Sequence, residues 1–168
     1  NTPARKAVGV SAFMASKQLA QQNSNYVFVG PAGTGKTALA VAVMNKLADV
    51  KSIMFVNLVA LRSTMLASID DERAKQDYNL IIRGMKEVEL LVMDDFGKES
   101  GAGGATDKMT EILYSIVNAR IGKSTIVTTN DNLSQLRSKY DESLTSRLIP
   151  KDEQKIVLFK DIDDYREA

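Results

Sequence analysis

The chain contains no cysteine and no histidine. Without cysteine there is no disulfide framework and no thiolate nucleophile. Without histidine there is no imidazole metal site, no Ser-His-Asp triad and no Cys-His pair. Any catalysis must use carboxylates, Lys, Arg, hydroxyls, amides and bound metal. Charge of one sign is also lacking: 22 Lys and Arg face 21 Asp and Glu, for a net charge of +1. A nucleic-acid partner would therefore have to meet a local patch rather than the field of the whole molecule. The longest apolar runs fall far short of the roughly 20 residues of a membrane span, so no membrane partner is expected. A cysteine-free chain fits the reducing cytoplasm, which is the expected location.

What is present is ordinary globular composition, 44% apolar and 26% charged over 168 residues. That is enough for one domain around one core. Residues 3–22 read as a helix with Val8, Phe13 and Leu19 apolar among Ala, Lys and Gln, followed by a break at Asn23-Ser24-Asn25. Short apolar runs at 26–29, 53–56, 90–93, 125–129 and 156–159 read as buried strands. Between them lie helical stretches at 37–47 and 57–69, another from a polar break at Asp70-Asp71-Glu72 to about Gly84, one at 106–120, and short ones at 133–137 and 142–148. Leu58, Leu61, Met65 and Ile69 share one face of the 57–69 helix, with Arg62 off that stripe. Residues 97–106 (GKESGAGGAT) read as a flexible loop. Strands that alternate with helices and are apolar throughout predict an α/β fold, with a parallel sheet covered on both faces. Ligands bind such sheets beyond the carboxyl ends of the strands. The polar groups at those ends are residues 30–37, Asp94-Asp95 and Asn130.

Gly30-Pro31-Ala32-Gly33-Thr34-Gly35-Lys36-Thr37 matches G-x-x-x-x-G-K-[ST] at every fixed position, between a strand and a helix. Gly30, Gly33 and Gly35 let the backbone wrap a phosphate, with its N–H groups pointing inward as a nest. The helix start, running through Ala38, adds its positive dipole end. Lys36 can bridge β- and γ-phosphates, and Thr37 can offer its hydroxyl to Mg²⁺. The segment predicts ATP or ADP with Mg²⁺ as cofactors.

Asp94 ends an apolar strand, where a carboxylate holds the metal with Thr37. Asp95 is a candidate to orient or deprotonate the attacking water, and Glu99 on the same loop is its rival. Both Asp residues are also good loop-capping chemistry. Asn130 can reach a γ-phosphate or the water, or can simply start a turn. Arg147 and Arg166, taken alone, read as surface residues.

GPAGTGKT, LLVMDDFGKE, IVNAR, TIVTTN and TSRL occur in that order. Together they resemble the AAA+ ATPase domain of the DnaC/DnaI bacterial replicative-helicase loaders and the related IstB-type transposition ATPases. The compact form looks like a phage or mobile-element version. The resemblance runs from about residue 26 to the C-terminus. It implies a P-loop NTPase of AAA+ type, with a five-stranded parallel sheet between helices. It divides the chain into an N-terminal helix and linker at 1–24, a core at 25–160 and a C-terminal segment at 161–168. It implies that Asn130 is sensor I, and that Arg147 is an arginine finger acting on the neighbouring subunit's ATP. It implies that Arg166 is the sensor II arginine acting in cis. It also implies single-stranded DNA binding through the stretch at 57–84, with Arg62, Arg73, Lys75 and Arg83 as candidate contacts. A hexameric replicative helicase would be met by an N-terminal domain preceding this piece of chain, which opens at Asn1 rather than Met.

The chain departs from the wider AAA+ pattern twice. Asp-Asp stands where Asp-Glu is usual, which places the base farther from the water and implies slow hydrolysis. Little sequence follows the fifth strand, so the lid is expected to be reduced or absent. The function implied is an ATP-dependent helicase loader. An IstB-like transposition helper shares every motif, and a nucleotide-gated scaffold with little hydrolysis fits the Asp-Asp pair.

Overall fold

The computed structural model describes residues 3–99, 107–160 and 162. Five strands carry the sheet: β1 (Asn25–Val29), β2 (Ile53–Asn57), β3 (Leu90–Asp94), β4 (Ser124–Thr129) and β5 (Ile156–Leu158). Among the described residues, seven α-helices surround it: α1 (Pro3–Gln21), α2 (Lys36–Leu47), α3 (Leu58–Ala67), α4 (Glu72–Glu87), α5 (Asp107–Ala119), α6 (Leu133–Lys139) and α7 (Glu142–Leu148). All strand pairs are parallel, in the order β2-β3-β4-β1-β5. Among the described residues, no helix is long and apolar enough to cross a membrane.

The period of two along each strand splits the core into two layers. Val27, Val29, Leu91, Met93 and Val127 point to one face, where residues of α3 to α7 pack. Tyr26, Phe28, Leu90, Val92, Ile126 and Val157 point to the other, against α1 and α2. Every residue of β3 and β4 is buried, as expected of strands covered on both sides. The connections leaving the neighbours β1 and β4 thus depart to opposite faces. The crevice beyond their carboxyl ends is where a ligand fits such a sheet.

Three expectations need correction. Ile69 is 65% exposed, because α3 ends at Ala67 and the turn carries Ile69 off the buried stripe. The next helix continues past Gly84 to Glu87, since Gly84 lets α4 lie close on β2; a Cβ there would meet Met54 Sδ at 2.9 Å. Residues 97–99 are not a free loop: Glu99 is 1% exposed and hydrogen-bonded. The rest of that segment, 100–106, lies outside the described residues.

Arg120 joins α4, β3 and β4 at the far end of the sheet. Its guanidinium donates to Met85 O at 2.8 Å, Val88 O at 2.9 Å, Thr125 Oγ1 at 3.1 Å, Glu89 O and Ser124 O. Burial pulls its pKa down to about 10.

Candidate functional site

The loop after β1 turns on Gly33 and Gly35, whose φ angles of 74° and 94° lie in the left-handed region that glycine adopts freely. Gly30 is required for a different reason. A Cβ there would meet Phe159 Cβ at 2.6 Å, because the chain leaving β5 passes directly against it. Gly35 is also the N-cap of α2, and no side chain caps that helix. The positive end of the α2 dipole thus faces the loop, where it favours an anion. Lys36 is 6% exposed, and its Nζ donates to Gly30 O at 2.8 Å and Pro31 O at 2.6 Å. Thr34 Oγ1 closes the turn on Pro31 O at 2.9 Å.

Thr37 Oγ1 donates to Asp94 Oδ1 at 2.7 Å, joining the first turn of α2 to the end of β3. Thr128 Oγ1 donates to the same oxygen at 2.7 Å and receives Asp95 N–H at 3.1 Å. Hard oxygens at this spacing suit Mg²⁺. Among the described residues no cluster of three acidic side chains could hold a metal alone. A cation here would share its coordination with phosphate oxygens and water. Asp95 is a non-glycine residue at φ 60°, a conformation costing about 1–2 kcal/mol. Its carboxylate is held by Lys98 Nζ at 2.6 Å and Asn57 Nδ2 at 3.2 Å.

A cavity of about 670 Å³ opens above these groups, lined by residues 32–39 together with Asp95, Lys98 and Asn130. Arg5, Val8 and Gly9 of α1 and Phe159 and Ile162 also line it. These mostly apolar groups suit a flat ring, while the glycine loop suits phosphates. The structure thus brings the glycine loop, Asp95 and Asn130 to one hollow, with Asp94 buried beneath Thr37.

Glu99 does not line this hollow. Its Oε2 accepts Gly97 N–H at 2.7 Å and its Oε1 accepts the Tyr140 hydroxyl. Burial pushes its carboxyl above the usual range, partly offset by these donors. Three residues beside the site escaped the sequence reading: Asn57, Lys98 and Thr128. Asn57 reads only as a helix start. Its second role depends on β2 lying beside β3, which no local pattern reveals.

The model of the family described as "IstB-like ATP binding protein" matches residues 6–152. The chain belongs to this family of IstB-like ATP-binding proteins. It is 30% identical over 135 residues to the putative insertion sequence ATP-binding protein y4uH of Sinorhizobium fredii, covering 77% of this chain and 52% of that protein. It is 25% identical over 128 residues to the replicative helicase loader DnaC of Escherichia coli, covering 74% of this chain and 50% of that protein. The chain therefore spans about half the length of these relatives. The crystal structure of the DnaC helicase loader superposes with a TM-score of 0.72 at 21% identity, covering 97% of this chain and 92% of that one. The fold is that of an AAA+ P-loop protein.

Other family positions lie away from the hollow. Arg147 lies in the last turn of α7, with its carbonyl accepting Asn25 Nδ2 at 2.7 Å beside the amino end of β1. Its guanidinium donates to Ser143 O and sits 5.5 Å from the centre of the Tyr114 ring. It is thus remote from its own chain's glycine loop, which follows the opposite end of β1. Arg166 lies outside the described residues. Arg62 is on α3, with its Nε buried and without a hydrogen-bond partner. Arg73, Lys75 and Arg83 are exposed on α4. Lys75 pairs with Glu72 at 3.4 Å and Arg83 with Glu87 at 2.9 Å. A spacing of two residues sets Arg73 and Lys75 on opposite sides of the helix, so these cations do not form one stripe.

Proposed function

We propose that this chain is the ATP-hydrolysing core of a replicative-helicase loader, which assembles with ATP and acts on single-stranded DNA. The observation that carries the ATPase reading is the Thr37–Asp94 contact of 2.7 Å beneath an uncapped helix start. A triphosphate would lie on the amides of residues 33–38, with Lys36 turned from the loop carbonyls to its β- and γ-oxygens. Mg²⁺ would take Thr37 Oγ1 directly and Asp94 through water. It would neutralise charge developing on the transferred phosphoryl group. Asp95 would orient the attacking water, and Asn130 would contact the γ-phosphate. Asp95 must first loosen from Lys98 Nζ, 2.6 Å away, which supports slow turnover and a switch rather than a motor.

Arg147 is the residue that would tie hydrolysis to assembly. It cannot serve its own site from the amino end of the sheet, but that is where a finger aimed at a neighbouring copy would sit. Lys36→Ala should lower ATP affinity at least about a hundredfold. Arg147→Ala should leave affinity within about twofold and lower turnover by roughly a hundredfold, with loss of ATP-dependent assembly. Wild-type turnover in Arg147→Ala would refute the inter-subunit reading.

The loader reading is supported by the sequence match to DnaC. A transposition helper is supported by the match to y4uH, which is 30% identical. Co-purification of the full-length protein with a hexameric helicase, set against a transposase, separates the two. Phosphate release that stays at background with and without single-stranded DNA would instead favour a nucleotide-gated scaffold.

A further inference from the structure

Glu99 and Tyr140 form a buried polar contact outside the nucleotide hollow, and hydrolysis as described does not use them. The carboxylate of Glu99, at 1% exposure, joins the Gly97 amide on its own loop to the Tyr140 hydroxyl at the end of α6. Three further contacts run alongside. The Phe96 ring lies on the Tyr140 ring, centroids 4.8 Å apart. Lys139 Nζ donates to Gly97 O at 3.2 Å and to Asp131 Oδ2 at 2.6 Å.

The placement of the two ends matters. On one side, Phe96, Gly97 and Glu99 directly follow Asp95. Thr129 Oγ1, beside Asn130, donates to Phe96 O at 2.8 Å. On the other side, Tyr140 immediately precedes Asp141, whose side chain caps α7 by accepting Leu144 N–H at 2.9 Å. Helix α7 carries Arg147 in its last turn. Asp95 and Arg147 therefore belong to two short segments fastened together at Glu99 and Tyr140.

We propose that Glu99 and Tyr140 are positioning residues that latch the Asp95 loop to the α6–α7 turn, so that the nucleotide site of one subunit sets the Arg147 it offers to the next. This rests on the reading that Arg147 completes a neighbour's site. The latch is built from hydrogen bonds to a carboxylate and not from proton transfer. Gln can replace Glu99 with both bonds kept: its carbonyl accepts from Gly97 N–H and its amide donates to the Tyr140 oxygen.

The test measures ADP affinity by calorimetry and kcat by phosphate release, on the full-length protein with Mg²⁺. Tyr140→Phe removes one hydroxyl and keeps the ring contact with Phe96. It should lower kcat about tenfold with nucleotide Kd within about twofold. Glu99→Gln should keep at least about half of the turnover that Glu99→Ala loses. Tyr140→Phe added to Arg147→Ala should cost less than about twofold more, since both act through one helix.

The latch is overturned if Tyr140→Phe turns over like wild type. It is also overturned if Glu99→Gln is as inactive as Glu99→Ala, which would make Glu99 a base. Full multiplication of the Tyr140 and Arg147 losses overturns it as well. If Arg147→Ala itself turns over normally, the inter-subunit reading fails and takes the latch with it. If Arg147→Ala is impaired and Tyr140→Phe is not, the latch fails alone.

Discussion

Asn57 and Asp94 face each other in register at the carboxyl ends of β2 and β3, and the Asn57 amide donates at 3.2 Å to both Asp94 Oδ2 and Asp95 Oδ2. Its carbonyl oxygen meanwhile caps α3 by accepting Ala60 N–H at 3.1 Å. One side chain thus touches both carboxylates and the helix that opens the α3–α4 hairpin. Asn57→Ala removes all three contacts. It should cost about 1 kcal/mol of stability through the lost cap. It should also lower kcat about tenfold at nearly unchanged nucleotide affinity, because Asp95 loses a restraint on its aim. Asn57→Asp keeps the cap but sets a third carboxylate against two others. Thermal unfolding should separate the variants: the Asp variant should gain more from Mg²⁺ than wild type, and the Ala variant should not.

Asp94 takes hydrogen bonds from Thr37, Thr128 and Asn57, so its carboxylate is anchored before any metal arrives. Asp94→Asn keeps the shape but presents an amide N–H₂ to one set of donors. ADP affinity in EDTA should stay within about threefold of wild type, since the loop amides and Lys36 are intact. The increase in ATP affinity on adding Mg²⁺ should disappear. Calorimetry with and without the metal measures both quantities, and a preserved Mg²⁺ effect would move the metal away from Asp94.

Glu99 makes a pH-dependent contribution whose sign follows from its raised pKa. The folded protein binds this proton more tightly than the unfolded chain does. Keeping the carboxylate charged above the folded pKa therefore opposes folding, and the penalty is relieved as pH falls towards the unfolded value. Glu99→Gln removes the penalty at every pH. Its melting temperature should exceed wild type at pH 8, and the gap should narrow on acidification towards pH 5. A gap that is constant or widens at low pH would contradict the buried, raised carboxyl.

Much of this arrangement was legible in the sequence because it is local. The glycine loop, the five apolar strands and the chemistry at their ends each depend on residues within a few positions of one another. Thr128 reads only as part of a strand, since its contacts with Asp94 and Asp95 arise from β4 lying beside β3, while Lys98 reads only as part of a loop, since its pairing with Asp95 depends on how the turn folds. Glu99 shows the opposite failure. Its position four residues past Asp95 made it a plausible base, but Gly97 at φ 97° turns the chain so that Glu99 points inward to Tyr140. Arg147 shows what a motif alone leaves out. Its placement beside Asn25, at the far end of β1 from the glycine loop, comes from the fold and not from the motif.

Arg120 puts a buried guanidinium to structural use. It stood out only within the IVNAR segment, yet it lines no part of the nucleotide hollow. Its guanidinium collects carbonyls at the C-terminal end of α4 and from the starts of β3 and β4, where the helix dipole favours a cation. Arg120→Met fills similar volume but leaves several buried carbonyls without donors, and should destabilise the fold by about 3 kcal/mol. Arg120→Lys should recover less than half of that loss, because a single ammonium cannot reproduce the planar fork that spans three elements. Chemical denaturation measures both. Nucleotide affinity of the still-folded variants should stay within about twofold of wild type, since the glycine loop sits at the opposite end of the sheet. A variant that loses nucleotide affinity while keeping its stability would give Arg120 a role in the site that this geometry does not provide.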